Sequence, residues 1–159
     1  GIWGRPHRLV TDAIRKVCES IRIKDTGKAT KLVLMNTTAC LDVDAREKFT
    51  NAEGIIIAIM RFLLPPQRDN EQAVNFLKHD IGKNDRIIEW IAVRPDTLID
   101  ENEVTSYTVH NSPVRSPVFN SGQTSRINVG NFMMNLLCNN EQWEKWRYQM
   151  PVIYNETRQ

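Results

Sequence analysis

Seven glycines are spread through the 159 residues, and none stands in the GxGxxG spacing that turns a strand into a helix around a phosphate. A phosphate-cradling loop within this chain is thereby excluded. Cysteine is as sparse: Cys18, Cys40 and Cys138 are odd in number, far apart and without a CxxC spacing. That pattern argues against a disulfide framework or a zinc site and for reduced, mostly core thiols; no metal site is expected. Neither sign of charge dominates, since 21 Lys and Arg are interspersed with 19 Asp and Glu, so a nucleic-acid surface has no electrostatic support. Long apolar runs are missing too. The longest, Ile55 to Leu64, is broken by Arg61 and closed by Pro65-Pro66, short of the ~20 residues that span a bilayer. In place of a secretory signal, Gly1 to Val10 carries Arg5, His7 and Arg8, and a cytoplasmic setting is expected. A first residue other than methionine, followed by a helix with no strand before it, points to a piece of a longer protein or a processed product.

What is present suffices for a core. A hydrophobic content of 41% over this length predicts one globular domain, or most of one. From Pro6 to Ile23, Leu9, Val10, Ala13, Ile14, Val17, Cys18 and Ile21 recur at helical spacing. Lys31 to Met35 reads as a short buried strand ending in polar Asn36-Thr37-Thr38, and Ala45 to Leu64 reads as a helix stopped by Pro65-Pro66. A helix over Asp69 to Ile81 is closed by Gly82, with Asp69 or Asn70 as its cap. Ser106 to His110 alternates like a half-buried strand, and Asn128 to Cys138 forms a helix with Asn128 available as cap. Trp146 to Tyr154, with Pro151 inside it, is expected at a sheet edge.

The richest segment is Ile87 to Leu98. Its β-branched and aromatic run suits a strand covered on both faces, and Pro95 cannot donate to a ladder, so pairing should stop there and hand over to a polar loop. Ligands of open α/β sheets sit at the carboxyl ends of strands, which makes Arg94 to Leu98 the first place to look for binding. His7, His79 and His110 lie in three different elements and lack metal-ligand pairing. Trp143 and Trp146 read as a packed aromatic corner under the last helix.

Four segments, in order, carry a resemblance: Lys31-Leu32-Val33-Leu34-Met35-Asn36-Thr37-Thr38, Asp69-Asn70-Glu71, Trp90-Ile91-Ala92-Val93-Arg94-Pro95-Asp96-Thr97-Leu98, and Ser125-Arg126-Ile127-Asn128-Val129-Gly130-Asn131-Phe132. Together they resemble the carboxyl-terminal half of atypical short-chain dehydrogenase/reductases, in the NAD(P)H-binding subgroup with flavin reductase-like and nitrogen-regulator-like proteins. The resemblance implies an α/β fold, a partial Rossmann-like doubly wound parallel sheet missing its first strands, over a single incomplete domain of residues 1–159. It also implies NADP or NAD as cofactor of the full-length parent. Asn36, Thr37 and Thr38 would then face the nicotinamide ribose. Arg94, Pro95 and Asp96 would meet the carboxamide, although relatives commonly carry glycine where Asp96 stands.

The catalytic part of the resemblance is incomplete. Relatives use a Tyr-x-x-x-Lys pair, whereas Tyr107, Tyr148 and Tyr154 are followed four residues on by Asn111, Val152 and Arg158. Arg68 and Gln72 stand where the pair belongs, and Thr37 is the candidate to replace the usual serine hydroxyl. The resemblance therefore leaves three readings open. The first is an oxidoreductase passing hydride to a small carbonyl, quinone or flavin-type acceptor, with dinucleotide and small molecule as partners. The second is a non-catalytic dinucleotide-sensing or protein-interaction module. The third is an inactive fragment whose unpaired strand edge at Lys31 to Met35 invites self-association.

Overall fold

The structure, a computed structural model, describes residues 7–156, so Pro6, the expected start of the first helix, lies outside the described residues. Two compact units are present: residues 7–32 with Lys48–Trp90, and Val33–Glu47 with residues 91–156.

The first unit is mainly helical. Helix α1 (Leu9–Lys24) buries Thr11, Ile14 and Cys18 on the face the periodicity indicates. Helix α2 spans Asn51–Leu63, six residues later than the apolar pattern suggests, because a capping box sets its start. Thr50 Oγ1 accepts the Glu53 N–H at 3.3 Å while a Glu53 carboxylate oxygen accepts the Thr50 N–H at 2.8 Å. Pro65 and Pro66 end α2 and also open α3 (Pro65–Asn75), since a proline in the first helical turn has no N–H to miss. A π-helical turn, Phe76–Ile81, continues α3 and closes at Gly82, whose φ of +73° suits glycine. Asp69 is therefore no cap of its own helix. It reaches across to α1, where its carboxylate accepts the Val10 and Thr11 N–H groups at 2.7 and 3.0 Å and the Thr11 hydroxyl at 2.6 Å.

The second unit is built on strands. β1 (Thr30–Met35) and β2 (Ile88–Pro95) contribute their carboxyl-terminal parts, and β4 (Tyr107–His110) and β6 (Val152–Asn155) complete a sheet of order β1-β2-β6-β4. β2 and β6 are parallel, with Arg94 opposite Val152 and Pro95 opposite Ile153. The amides of Asn36 and Thr38 donate to the carbonyls of Val93 and Pro95, donor and acceptor advancing together as parallel strands require. β4 runs antiparallel to β6, Thr108 opposite Tyr154 and His110 opposite Val152. Hence β6 lies inside the sheet, not at its edge: it begins after Pro151, and Asn140–Trp146 forms a short helix, α5. The segment after Pro95, expected as a loop, holds β3 (Thr97–Ile99), paired in parallel with β5 (Gln123–Ser125).

Helix α4 (Arg126–Cys138) is capped by Ser125 and not by Asn128. Its Val129, Phe132 and Leu136 join Ile91, Val93, Ile153 and both Trp143 and Trp146 in one apolar cluster. Burying each tryptophan stabilises the unit by about 4–6 kcal/mol before the entropy cost of ordering. Cys18 and Cys40 are buried and Cys138 is exposed. Among the described residues no helix is long and apolar enough to cross a membrane.

Candidate functional site

All six residues singled out at the strand ends fall in the second unit. Pairing of β1 with β2 sets Asn36, Thr37 and Thr38 beside Pro95 and Asp96, because Thr38 N–H donates to the Pro95 carbonyl at 3.3 Å. The turn is held locally: Asn36 Oδ1 accepts the Thr37 N–H at 2.8 Å, and Thr37 Oγ1 accepts the Ala39 N–H at 3.3 Å. Asn36 and Thr38 are buried, while Thr37 is partly exposed.

Arg94 is the largest surprise of this edge. Its side chain is 0% exposed and turns inward. Nε donates to the Met150 carbonyl at 2.7 Å, Nη1 to Cys40 O and Glu47 Oε2 at 2.9 and 2.7 Å, and Nη2 to Glu47 Oε1 and Asn111 O at 2.7 and 3.4 Å. A guanidinium has five N–H donors, and each has an acceptor here. Glu47 is itself held by the Asp42 N–H at 2.7 Å. Sequence reasoning missed Glu47 altogether, since an acidic residue in a segment taken as helical gives no sign of pairing with a strand-end arginine.

Asp96 sits where β2 ends and the small sheet begins. Its Oδ2 accepts the Gly122 N–H at 2.9 Å, the Thr97 N–H donates to the Gly122 carbonyl at 3.1 Å, and the Thr38 hydroxyl also bonds the carboxylate. Burial nonetheless raises its pKa above the ordinary 3.8, outweighing these bonds and the charge of Arg115. Gly122 has no room for a side chain, because a Cβ there would stand 2.3 Å from Cδ1 of Tyr154. Tyr154 is 4% exposed, and its hydroxyl meets no partner of hydrogen-bonding geometry among the described residues. Burial raises the pKa of that phenol and the Asp96 charge raises it further, against the backbone of Val114 and Arg115.

Beyond Gly122 opens a cleft of about 900 Å³ in the same unit. Asn155 and Glu101 form one end of it. Asn155 Oδ1 accepts from Ser125 N–H and Asn128 Nδ2 at 3.0 and 2.8 Å, and Asn155 Nδ2 donates to Glu101 Oε2 at 3.1 Å. Asn128, read from the sequence as a cap, is a 0% exposed hub that also joins Thr105 through two bonds of 2.9 Å.

No protein-family model matches the sequence, and no curated protein matches it at the sequence level. Solved structures do. One is a candidate NADH-flavin reductase from Streptococcus pneumoniae: TM-score 0.64, 12% identity, 98% of this chain and 69% of that chain covered. Rossmann-like is therefore the fold. A candidate NAD-dependent epimerase/dehydratase from Bacillus halodurans has TM-score 0.58 and 14% identity, with 91% of this chain and 53% of its own covered. A wide-type short-chain dehydrogenase/reductase from Veillonella parvula, solved with NADP, has TM-score 0.55, 12% identity and coverage of 91% and 58%. The chain thus spans 53–69% of the length of these Rossmann-like structures. Asn36 and Asp96 directly follow the carboxyl ends of β1 and β2.

Proposed function

We propose that the protein to which this Rossmann-like chain belongs is a cytoplasmic NAD(P)H-binding oxidoreductase that passes hydride to a small carbonyl, quinone or flavin-type acceptor. The observation that carries the reading is the juxtaposition of Asn36–Thr38 with Pro95–Asp96 at adjacent carboxyl ends of parallel strands, where this architecture holds ligands.

The donor set fits the nicotinamide end of a dinucleotide. An amide from Asn36, a hydroxyl from Thr37 and the second lone pair of the Pro95 carbonyl suit a carboxamide and ribose hydroxyls. Thr38 steadies Asp96, whose carboxylate stands beside it with its pKa raised by burial. The Arg94 side chain, fully bonded to protein acceptors, serves as a strut for this wall. The pyrophosphate end has no counterpart here, because no GxGxxG stretch occurs in the chain. When bound, the nicotinamide supplies the hydride; this chain binds, orients and shapes the pocket. Thr37, the least buried of the three polar residues after β1, is the group to hold an acceptor oxygen.

A second reading, a dinucleotide sensor without turnover, draws on the absence of any Tyr-x-x-x-Lys pair. Calorimetric titration of this chain, and of the longer gene product, with NADPH and NADH tests both. Binding with NADPH loss on addition of a quinone or flavin supports the oxidoreductase; binding without turnover supports the sensor. Absence of binding by the longer product would overturn both.

A further inference from the structure

The cleft beyond Gly122 is polarised. At one end, where Tyr107 stands opposite Asn155, Glu101 is held by its Oε2 to Asn155 Nδ2 at 3.1 Å and Thr105 Oγ1 at 3.2 Å. These bonds leave Oε1 uncommitted and position the carboxylate. At the other end stand His110 and Arg115. His110 Nε2 lies 3.0 Å from Thr108 Oγ1, with its ring 5.9 Å from that of Tyr154. Arg115 is exposed and forms no ion pair with a described residue, while its stem approaches the bare α-carbon of Gly122. Tyr107 and His110 are three steps apart on β4, about 10 Å at the rise of a strand.

Glu156, next to Asn155, adds a second carboxylate to the lining, while Thr108, Ser121 and Gln123 are uncharged and able to hydrogen-bond. An extended peptide advances about 3.3–3.6 Å per residue, so two or three residues set an ammonium and a carboxylate apart by roughly the length of β4 from Tyr107 to His110. The volume of about 900 Å³ is at the upper part of the range for small-molecule sites.

We propose that this cleft binds a short peptide of two or three residues, its ammonium at Glu101 and its carboxylate at Arg115 and His110. The neutral middle meets the peptide amides, and Gly122, packed closely on the buried ring of Tyr154, keeps that wall free of a side chain. The inference does not rest on dinucleotide binding.

Trialanine, N-acetyl-trialanine and trialanine amide are titrated into the chain by NMR, following backbone shifts of β4 and β6. Trialanine should bind about tenfold more tightly than either blocked form. Glu101→Gln combined with Glu156→Gln should abolish the discrimination against the acetylated peptide alone, and Arg115→Gln the discrimination against the amide alone. The exposed Arg115 site keeps the second variant folded even if the Glu101 network is disturbed. Trialanine that fails to bind, or that binds equally in blocked form, overturns the proposal, as does binding indifferent to Arg115→Gln.

Discussion

Each unit contains one buried carboxylate that fastens a distant segment, and the two do so on different terms. In the first, Asp69 accepts hydrogen bonds from the neutral N–H groups and hydroxyl at the start of α1. In the second, Glu47 faces the full charge of Arg94 in a bidentate pair, with both side chains at 5% exposure or less. Partial charges left unpaired at a helix end cost less to bury than a full charge does. An unpaired guanidinium in the interior carries that full charge, so the two fastenings should differ most when broken.

Glu47→Ala is the severest test. It should destabilise by about 3–5 kcal/mol, because Arg94 keeps its burial and loses its counter-charge. Urea denaturation checks this, and the pair Glu47→Leu with Arg94→Met should recover most of the loss. Recovery would show that the cost lay in the orphaned charge; its absence would show that the pair also specifies the turn Leu41–Glu47.

Asp69→Ala should cost less, about 1–2 kcal/mol, the range of a lost helix cap. Asp69→Asn should cost less again, since one acceptor oxygen remains. A loss equal to that of Glu47→Ala would dissolve the distinction between the units.

The smallest effect concerns pH. Burial raises the Asp96 pKa from 3.8, so the native state holds this proton more tightly than the unfolded chain. Its stabilising contribution is complete below the unfolded pKa and is lost as pH rises through the folded value. Denaturation midpoints taken from pH 3.5 upward should therefore fall less steeply in Asp96→Asn than in the parent chain. Equal slopes would mean that the Gly122 and Thr38 bonds compensate for burial.

Much of the framework was legible because it is local. Helical spacing from Leu9 to Ile21 and the apolar runs at Lys31–Met35 and Ile87–Val93 announce elements whose periodicity depends on neighbours a few residues away. Helix starts were less legible: Thr50 with Glu53 carries cap chemistry inside a segment read through its apolar residues, and Ser125, which caps α4, precedes the residues read as that helix. The strand ends at Asn36–Thr38 and Arg94–Asp96 were visible as places where apolar runs stop, and so was the proline that limits pairing. Nothing in that pattern told which way Arg94 faces.

The sequence by itself determined most of the helices, the buried strand β2 and the absence of a GxGxxG loop, because each is a property of short windows and residue types; β1, expected to be buried, is only half-buried, and α5 was not foreseen. Tertiary structure decided the rest. Glu47 meets Arg94 across 47 residues, Asp96 meets Gly122 across 26, and β6 enters the sheet between β2 and β4. Such pairings leave no period in the chain; they exist only where burial makes an unpaired charge or amide too costly, and that cost is set by what folds around it.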